Sequence, residues 1–128
     1  MSHAKLNFSR IEFDQRLTKT RQEMQQREID LLIVSDPSNM NWLTGYDGWS
    51  FYVHQCVILP LEGAPIWYGR GQDAKGALRT CFMEPSDIIG YPDHYVQSTE
   101  RHPMSYLAAQ LTDRGLAKGR IGVEMDNY

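Results

Sequence analysis

Apolar positions recur at helical spacing from Phe13 to Met24, and the period then breaks. Phe13, Leu17, Thr20 and Met24 fall on one face, leaving Arg16, Lys19, Glu23 and Gln26 for solvent. Ser9-Arg10-Ile11-Glu12 reads as a capping box, with Ser9 as N-cap and Glu12 reaching back. Phe8 and Phe13 occupy the staple positions around it. The helix should end near Arg27-Glu28. Leu31-Leu32-Ile33-Val34-Ser35 is a continuous apolar run too short for a helix. It reads as a strand covered on both faces, as in an α/β sheet. Asp36-Pro37 then gives an N-cap followed by proline at the first helical position, and Gly45 closes a two-turn helix.

A second strand is expected over residues 54–60 and a third over 66–68. The residues between them, Leu61-Glu62-Gly63-Ala64-Pro65, are hairpin-like, so the pair should be antiparallel. Residues 73–80 suit a short helix weakened by Gly76. Ile88-Ile89-Gly90-Tyr91 is a short strand, and residues 92–102 are polar and without period. Pro103 starts a last helix, with Met104, Leu107, Ala108 and Leu111 on one face and Gly115 at its end. Arg120-Ile121-Gly122-Val123-Glu124 is a final strand. The order α-β-α-β-β-α-β-α-β predicts an α/β fold, a mixed sheet of about five strands flanked by helices. The ending Met125-Asp126-Asn127-Tyr128, directly after a strand, is compatible with a natural terminus or a cut at a domain boundary.

The 128 residues suit one domain, large enough to hold a core without disulfides. Net charge is −3 and no basic run occurs, which argues against nucleic acid or an anionic membrane as partner. The N-terminus has no apolar signal segment, and no run approaches the ~20 residues of a membrane helix. A cytoplasmic protein is therefore expected. Cys56 and Cys81 lie in apolar stretches and read as buried, reduced thiols.

The stretch after Gly45 stands out. Tyr46, Trp49, Phe51 and Tyr52 fall within seven residues of a loop, where exposed aromatic surface is costly. They suggest a surface that meets a ligand or another chain, with His54 beside them. Elsewhere the chemistry is sparse. Gly69-Arg70-Gly71-Gln72-Asp73-Ala74-Lys75-Gly76 matches neither a dinucleotide fingerprint nor a P-loop, and reads as a strand-to-helix turn with Asp73 or Gln72 near the cap. His3, His54, His94 and His102 form no metal-binding spacing. His94 and His102 share a polar loop with Asp93, Glu100 and Arg101, which side-chain hydrogen bonds would stitch together. No serine or cysteine sits in a nucleophile motif.

The series Arg16-Leu17, Met24, Ile29-Asp30-Leu31-Leu32-Ile33-Val34 and Pro37-Ser38-Asn39-Met40-Asn41-Trp42-Leu43-Thr44-Gly45-Tyr46 resembles the start of the creatinase, prolidase and aminopeptidase P family. Arg120-Ile121-Gly122-Val123-Glu124 is similar to that family's closing strand. Within the family, Gly45 to Gln55, Trp67 to Thr80 and Gly90 to Met104 are similar to the ectoine hydrolase branch, residues 48–55 and 91–103 in particular. Val53 stands near the place of the arginine that creatinases use for substrate, which argues against creatine.

The resemblance implies a creatinase/prolidase N-terminal domain of ribonuclease H-like fold. It implies that a C-terminal pita-bread domain, absent from this chain, holds two divalent metal ions. On that reading these residues bind no metal, provide no catalytic residue and are inactive alone. The expected partners are the protein's own catalytic domain, a second copy in a homodimer and a small-molecule substrate. Trp49, Phe51, Tyr52 and His54 would contact that substrate in the neighbouring subunit. An Xaa-Pro dipeptidase or aminopeptidase, or a stand-alone small-molecule-binding or dimerisation module, are the alternatives.

Overall fold

The computed structural model describes residues 10–46, 55–92, 102–116 and 119–123. The elements are α1 (Arg10–Gln26), β1 (Leu31–Val34), α2 (Pro37–Thr44), β2 (Cys56–Pro60), β3 (Ile66–Arg70), α3 (Gly71–Thr80), a 3-10 turn (Pro85–Asp87), β4 (Ile88–Tyr91), α4 (Pro103–Asp113) and β5 (Ile121–Val123). This is the expected order, with the 3-10 turn added. Ser9, Phe8 and the early part of the expected second strand, including His54, lie outside the described residues.

The strands form one mixed sheet in the order β4-β3-β2-β1-β5. β2 runs antiparallel to both of its neighbours, with Val34 opposite Val57 and Cys56 opposite Tyr68. β5 lies parallel to β1, and β4 parallel to β3. The hairpin joining β2 to β3 turns at Gly63, whose φ of 95° suits glycine. Arg21 of α1 holds this hairpin, donating from Nε to the Pro60 carbonyl at 3.1 Å and from a second nitrogen to the Gly63 carbonyl.

Alternation along the strands divides the core into two layers. Val34, Val57, Leu59 and Trp67 face Phe13, Leu17 and Met24 of α1, Met40 and Leu43 of α2, and Ala77 of α3. Leu31, Cys56, Ile58, Ile66, Tyr68 and Tyr91 face Leu107 and Leu111 of α4. Among the described residues, three helices thus cover one face and a single helix the other. β1 is covered on both faces as its apolar run requires, with Leu31 in one layer and Val34 in the other.

Arg16 departs from its expected solvent role. Its Nη1 donates to the Trp42 carbonyl at 2.8 Å, and its guanidinium lies 5.3 Å from the Trp42 ring. Trp42 is in the last turn of α2, where backbone carbonyls lack helical partners, so Arg16 caps a neighbouring helix. Helical period alone could not show this, because the acceptor lies 26 residues away.

Candidate functional site

The strand directions bring the connections that follow β1, β3 and β4 to one end of the sheet, opposite the β2–β3 hairpin. The carboxyl ends of β1, β3, β4 and β5 and the amino end of β2 all point there. Helices α2 and α3 begin there, directly after β1 and β3. So does α4, because the Tyr68 hydroxyl donates to the Pro103 carbonyl. Ligands of open α/β sheets bind outside the carboxyl ends of the strands. Tyr46, which follows α2, and Gln55, which precedes β2, meet here; residues 47–54 between them lie outside the described residues.

Local chemistry fixes where that connection starts. The Asp36 side chain accepts from the Ser38 N–H at 2.8 Å, and Pro37 fills the first helical position of α2. Gly45 takes a left-handed φ of 85°, and its N–H closes on the Asn41 carbonyl at 2.8 Å. The fully buried Thr44 is the hub. Its hydroxyl donates to the Met40 carbonyl at 2.7 Å and accepts from the Tyr46 N–H at 3.2 Å. Its carbonyl accepts from the Phe82 N–H at 3.2 Å. The Asn41 amide donates to the Tyr46 carbonyl at 3.1 Å. Asn41, Thr44 and Gly45 of the sequence motif are thus the residues that set the exit direction of the chain.

Tyr46 overturns one expectation. It is not part of an exposed aromatic surface: it is 2% exposed and its ring lies 5.2 Å from that of Trp67. Its hydroxyl donates to Gln55 Oε1 at 3.0 Å, across the connection. The Trp67 ring beside it and a buried acceptor made burial the better use of this ring. Trp49, Phe51, Tyr52 and His54, the residues proposed to contact substrate, lie outside the described residues, as does His94.

Sequence reasoning missed Gln55 and Trp67. Gln55 is 7% exposed, yet its Nε2 finds no hydrogen-bond partner among the described residues, and neither does the buried Trp67 Nε1. Both side chains converge on Gly69. A Cβ there would stand 2.7 and 2.8 Å from Trp67 Cη2 and Cζ2 and 3.3 Å from Gln55 Cβ. Glycine at this position lets the indole lie against β3. The signal was present in the alternation of β2 and β3, which puts Gln55 and Gly69 opposite one another beyond the Cys56–Tyr68 pair.

The glycine-rich segment is a strand-to-helix turn, as its failure to match a phosphate loop implied. Arg70 is the N-cap, and α3 starts two residues before Asp73 with no side-chain cap. Asp73 sits in the first turn, where a carboxylate meets the positive end of the helix. The glycines serve backbone contact instead: a Cβ on Gly90 would fall 2.7 Å from the Gly71 Cα. His102 is the N-cap of α4, its Nδ1 accepting from the Met104 N–H at 3.0 Å. Cys56 and Cys81 are buried and free, and burial pushes both thiols up to about 12. Neither is a nucleophile in this state. Among the described residues no group of three or more His, Cys, Asp or Glu is arranged to hold a metal ion.

A mixed five-stranded sheet flanked by helices on both faces defines an α/β domain. The Creatinase/Prolidase N-terminal domain family matches residues 16–128, and the chain belongs to that family. It is 63% identical over its whole length to the ectoine hydrolase of Halomonas elongata, and it covers 32% of that protein. It is 41% identical to an uncharacterized hydrolase/peptidase of Sinorhizobium fredii, again covering 32%. The chain thus spans about a third of the curated relatives it matches. Among solved structures, a proline dipeptidase from Streptococcus pneumoniae superposes with a TM-score of 0.70 at 21% identity, over 88% of this chain and 76% of that one. The N-terminal domain of an Xaa-Pro dipeptidase from Lactobacillus brevis superposes with a TM-score of 0.65 at 18% identity, over 85% of this chain and 75% of that one. These two establish the shared fold.

Proposed function

We propose that this chain is the non-catalytic N-terminal domain of a metal-dependent C–N hydrolase that opens ectoine to acetyl-diaminobutyrate. The observation that supports it is the 63% identity to an ectoine hydrolase along the entire chain. The chain matches about a third of that relative, so the catalytic domain and its two divalent metals belong to the remainder of the protein. Such metals activate water and polarise the C–N centre. The domain serves by packing against its own catalytic domain and by helping to form a homodimer. From the connection after α2, Trp49, Phe51 and Tyr52 would wall the neighbouring subunit's pocket and His54 would donate a hydrogen bond. Excluding water there strengthens contacts to a small charged substrate. Two buried free thiols support a cytoplasmic setting.

The test is an assay of the full-length protein with divalent metal on ectoine and on an Xaa-Pro dipeptide, with residues 1–128 as control. Ectoine opening by the full-length protein alone is the expected result. Cleavage of the dipeptide would instead place the protein in the peptidase branch, the reading favoured by the fold shared with proline dipeptidases. Activity of the 128-residue chain would overturn the accessory role.

A further inference from the structure

Three buried side-chain atoms find no hydrogen-bond partner among the described residues: Gln55 Nε2, Trp67 Nε1 and Asp73 Oδ2. Gln55 is 7% exposed and Trp67 is fully buried. Asp73 is partly exposed, but this oxygen is enclosed. Folded proteins rarely leave such atoms unpaired, because the loss of water then goes uncompensated.

The sheet brings the three together. Gly90 of β4, Gly69 of β3 and Gln55, the residue before β2, form one row across neighbouring strands. Gly69 pairs with Gly90, and Gln55 stands opposite Gly69 beyond the Cys56–Tyr68 pair. Two glycines leave this row open on the face that carries α3. Over Gly90 lies the first turn of α3, since a Cβ on Gly90 would fall 2.7 Å from Gly71 Cα and 3.4 Å from Ala74 Cβ. Over Gly69 lies the indole: a Cβ on Gly69 would stand 2.8 Å from Trp67 Cζ2, and the indole N–H borders that edge of the ring. Gln55 Cβ is 3.3 Å from the same point. Gln55 Oε1 is taken by the Tyr46 hydroxyl, so Nε2 is the end of the amide left for another partner. Asp73 belongs to the first turn of α3 and precedes the fully buried Ala77 by one helical turn, which puts its carboxylate on the inner side of the helix. The row therefore carries Asp73 toward one end, Gln55 at the other and the indole N–H between them.

The chemistry of these groups decides what fits. Two N–H groups call for an acceptor, and the carboxylate oxygen calls for a donor. An anion would satisfy both N–H groups but meet the Asp73 carboxylate with like charge. A metal ion would satisfy the carboxylate but face two N–H groups that have no lone pair to offer. A neutral hydroxyl accepts twice and donates as well, so it completes all three groups. Water does this at the least volume, and buried waters make about three hydrogen bonds to polar groups of this kind.

We propose that Gln55 Nε2, Trp67 Nε1 and Asp73 Oδ2 form the binding site of one buried water molecule, which accepts from the two N–H groups and donates to the carboxylate. The water prolongs the Tyr46–Gln55 bond into a directed chain: the Tyr46 hydroxyl donates to the Gln55 carboxamide, the carboxamide to water, and water to Asp73. Hydrogen bonds aligned in this way polarise and strengthen one another. The chain joins the residues that follow α2 and precede β2 to the start of α3.

Crystal structures of the full-length protein from this reading frame test the site, grown without polyols and at a resolution that shows ordered water. A water oxygen is expected within about 3.2 Å of all three atoms. In Asp73→Asn, whose amide oxygen still accepts, the water should stay. In Asp73→Leu it should be lost, and the melting temperature should fall about 3 °C or more below that of Asp73→Asn. Both variants remove the charge at the start of α3, so the difference between them reads the site and not the helix dipole. If Asp73→Leu does not fold, Asp73→Ala takes its place, and the density of the water should weaken or vanish. A protein carbonyl bonded to Gln55 Nε2 or Trp67 Nε1 would overturn the proposal. So would an ion in place of the water, no density between the three atoms, or a water unchanged by loss of the Asp73 acceptor. Neither density nor melting depends on which substrate the enzyme takes.

Discussion

The Tyr46 hydroxyl meets the Gln55 carboxamide at 3.0 Å and so joins the chain leaving α2 to the chain entering β2. Both residues are buried, and the Trp67 ring packs beside the tyrosine. The connection proposed to reach substrate is therefore clasped at its root by a bond inside the first core layer.

Breaking the clasp should cost stability in a coupled way. Tyr46→Phe takes away the donor to a buried acceptor, and about 1–3 kcal/mol of unfolding free energy should be lost. Gln55→Leu removes that acceptor and the unpartnered Nε2 together. Urea unfolding of both single variants and the double should give a coupling energy of about 0.5–3 kcal/mol. Strict additivity would mean that the bond contributes nothing.

Two glycines should respond to alanine with opposite signs. At Gly69 the new methyl meets the Trp67 ring at 2.7 Å, and overpacking of this kind costs about 1–3 kcal/mol. At Gly76, inside α3, a Cβ meets nothing within 4 Å. Alanine there should stabilise by about 0.4–1 kcal/mol through helix propensity and a less flexible unfolded chain. Thermal melts of the two variants decide both signs.

The two thiols set an alkaline limit. Folded Cys56 and Cys81 hold their protons up to about 12, against 9.0 for a free thiol. Between those values the unfolded chain binds fewer protons than the folded one, so stability falls as pH rises. Each thiol adds a slope of up to about 1.4 kcal/mol per pH unit. Replacing both with alanine should flatten that part of the profile. A thiol reagent at neutral pH should label the folded protein slowly and the urea-unfolded protein at once.

If Trp49 and Phe51 wall a pocket, alanine at either in the full-length enzyme should lower turnover or raise KM by tenfold or more. Steady-state kinetics on ectoine reads this directly. Unchanged constants would remove these residues from the pocket.

Much of the fold was legible because it rests on local signals. Asp36-Pro37 and Gly45 bound α2 as their cap chemistry requires, and the hairpin turning at Gly63 set β2 against β3. The helical face of α1 read through Phe13, Leu17 and Met24 is the buried one. What the sequence hid was long-range. Arg16 is polar by composition, yet its partner is a carbonyl on another helix. Tyr46 follows a loop signal, yet the space beside Trp67 takes its ring. The Gly69 requirement arises only when β2 and β3 are side by side. Of the candidate site, the sequence named the segment, while the residues that anchor it emerge from packing.

The pairing of β1 with β5 also sets an order in time. The Arg120 N–H donates to Asp30 Oδ2 across 90 residues, and the Asp30 N–H donates to the Arg120 carbonyl. β1, β2 and β3 can zip as a meander as soon as they are synthesised, but the outer edge of β1 then waits for β5. At about 5–20 residues per second that wait lasts roughly 3–11 s, long compared with hairpin formation in about 1–10 μs. Throughout it the nascent chain presents Leu31–Val34 with one side unpaired. This is the interval in which a chaperone, or a neighbouring nascent chain, competes for the edge that β5 eventually closes.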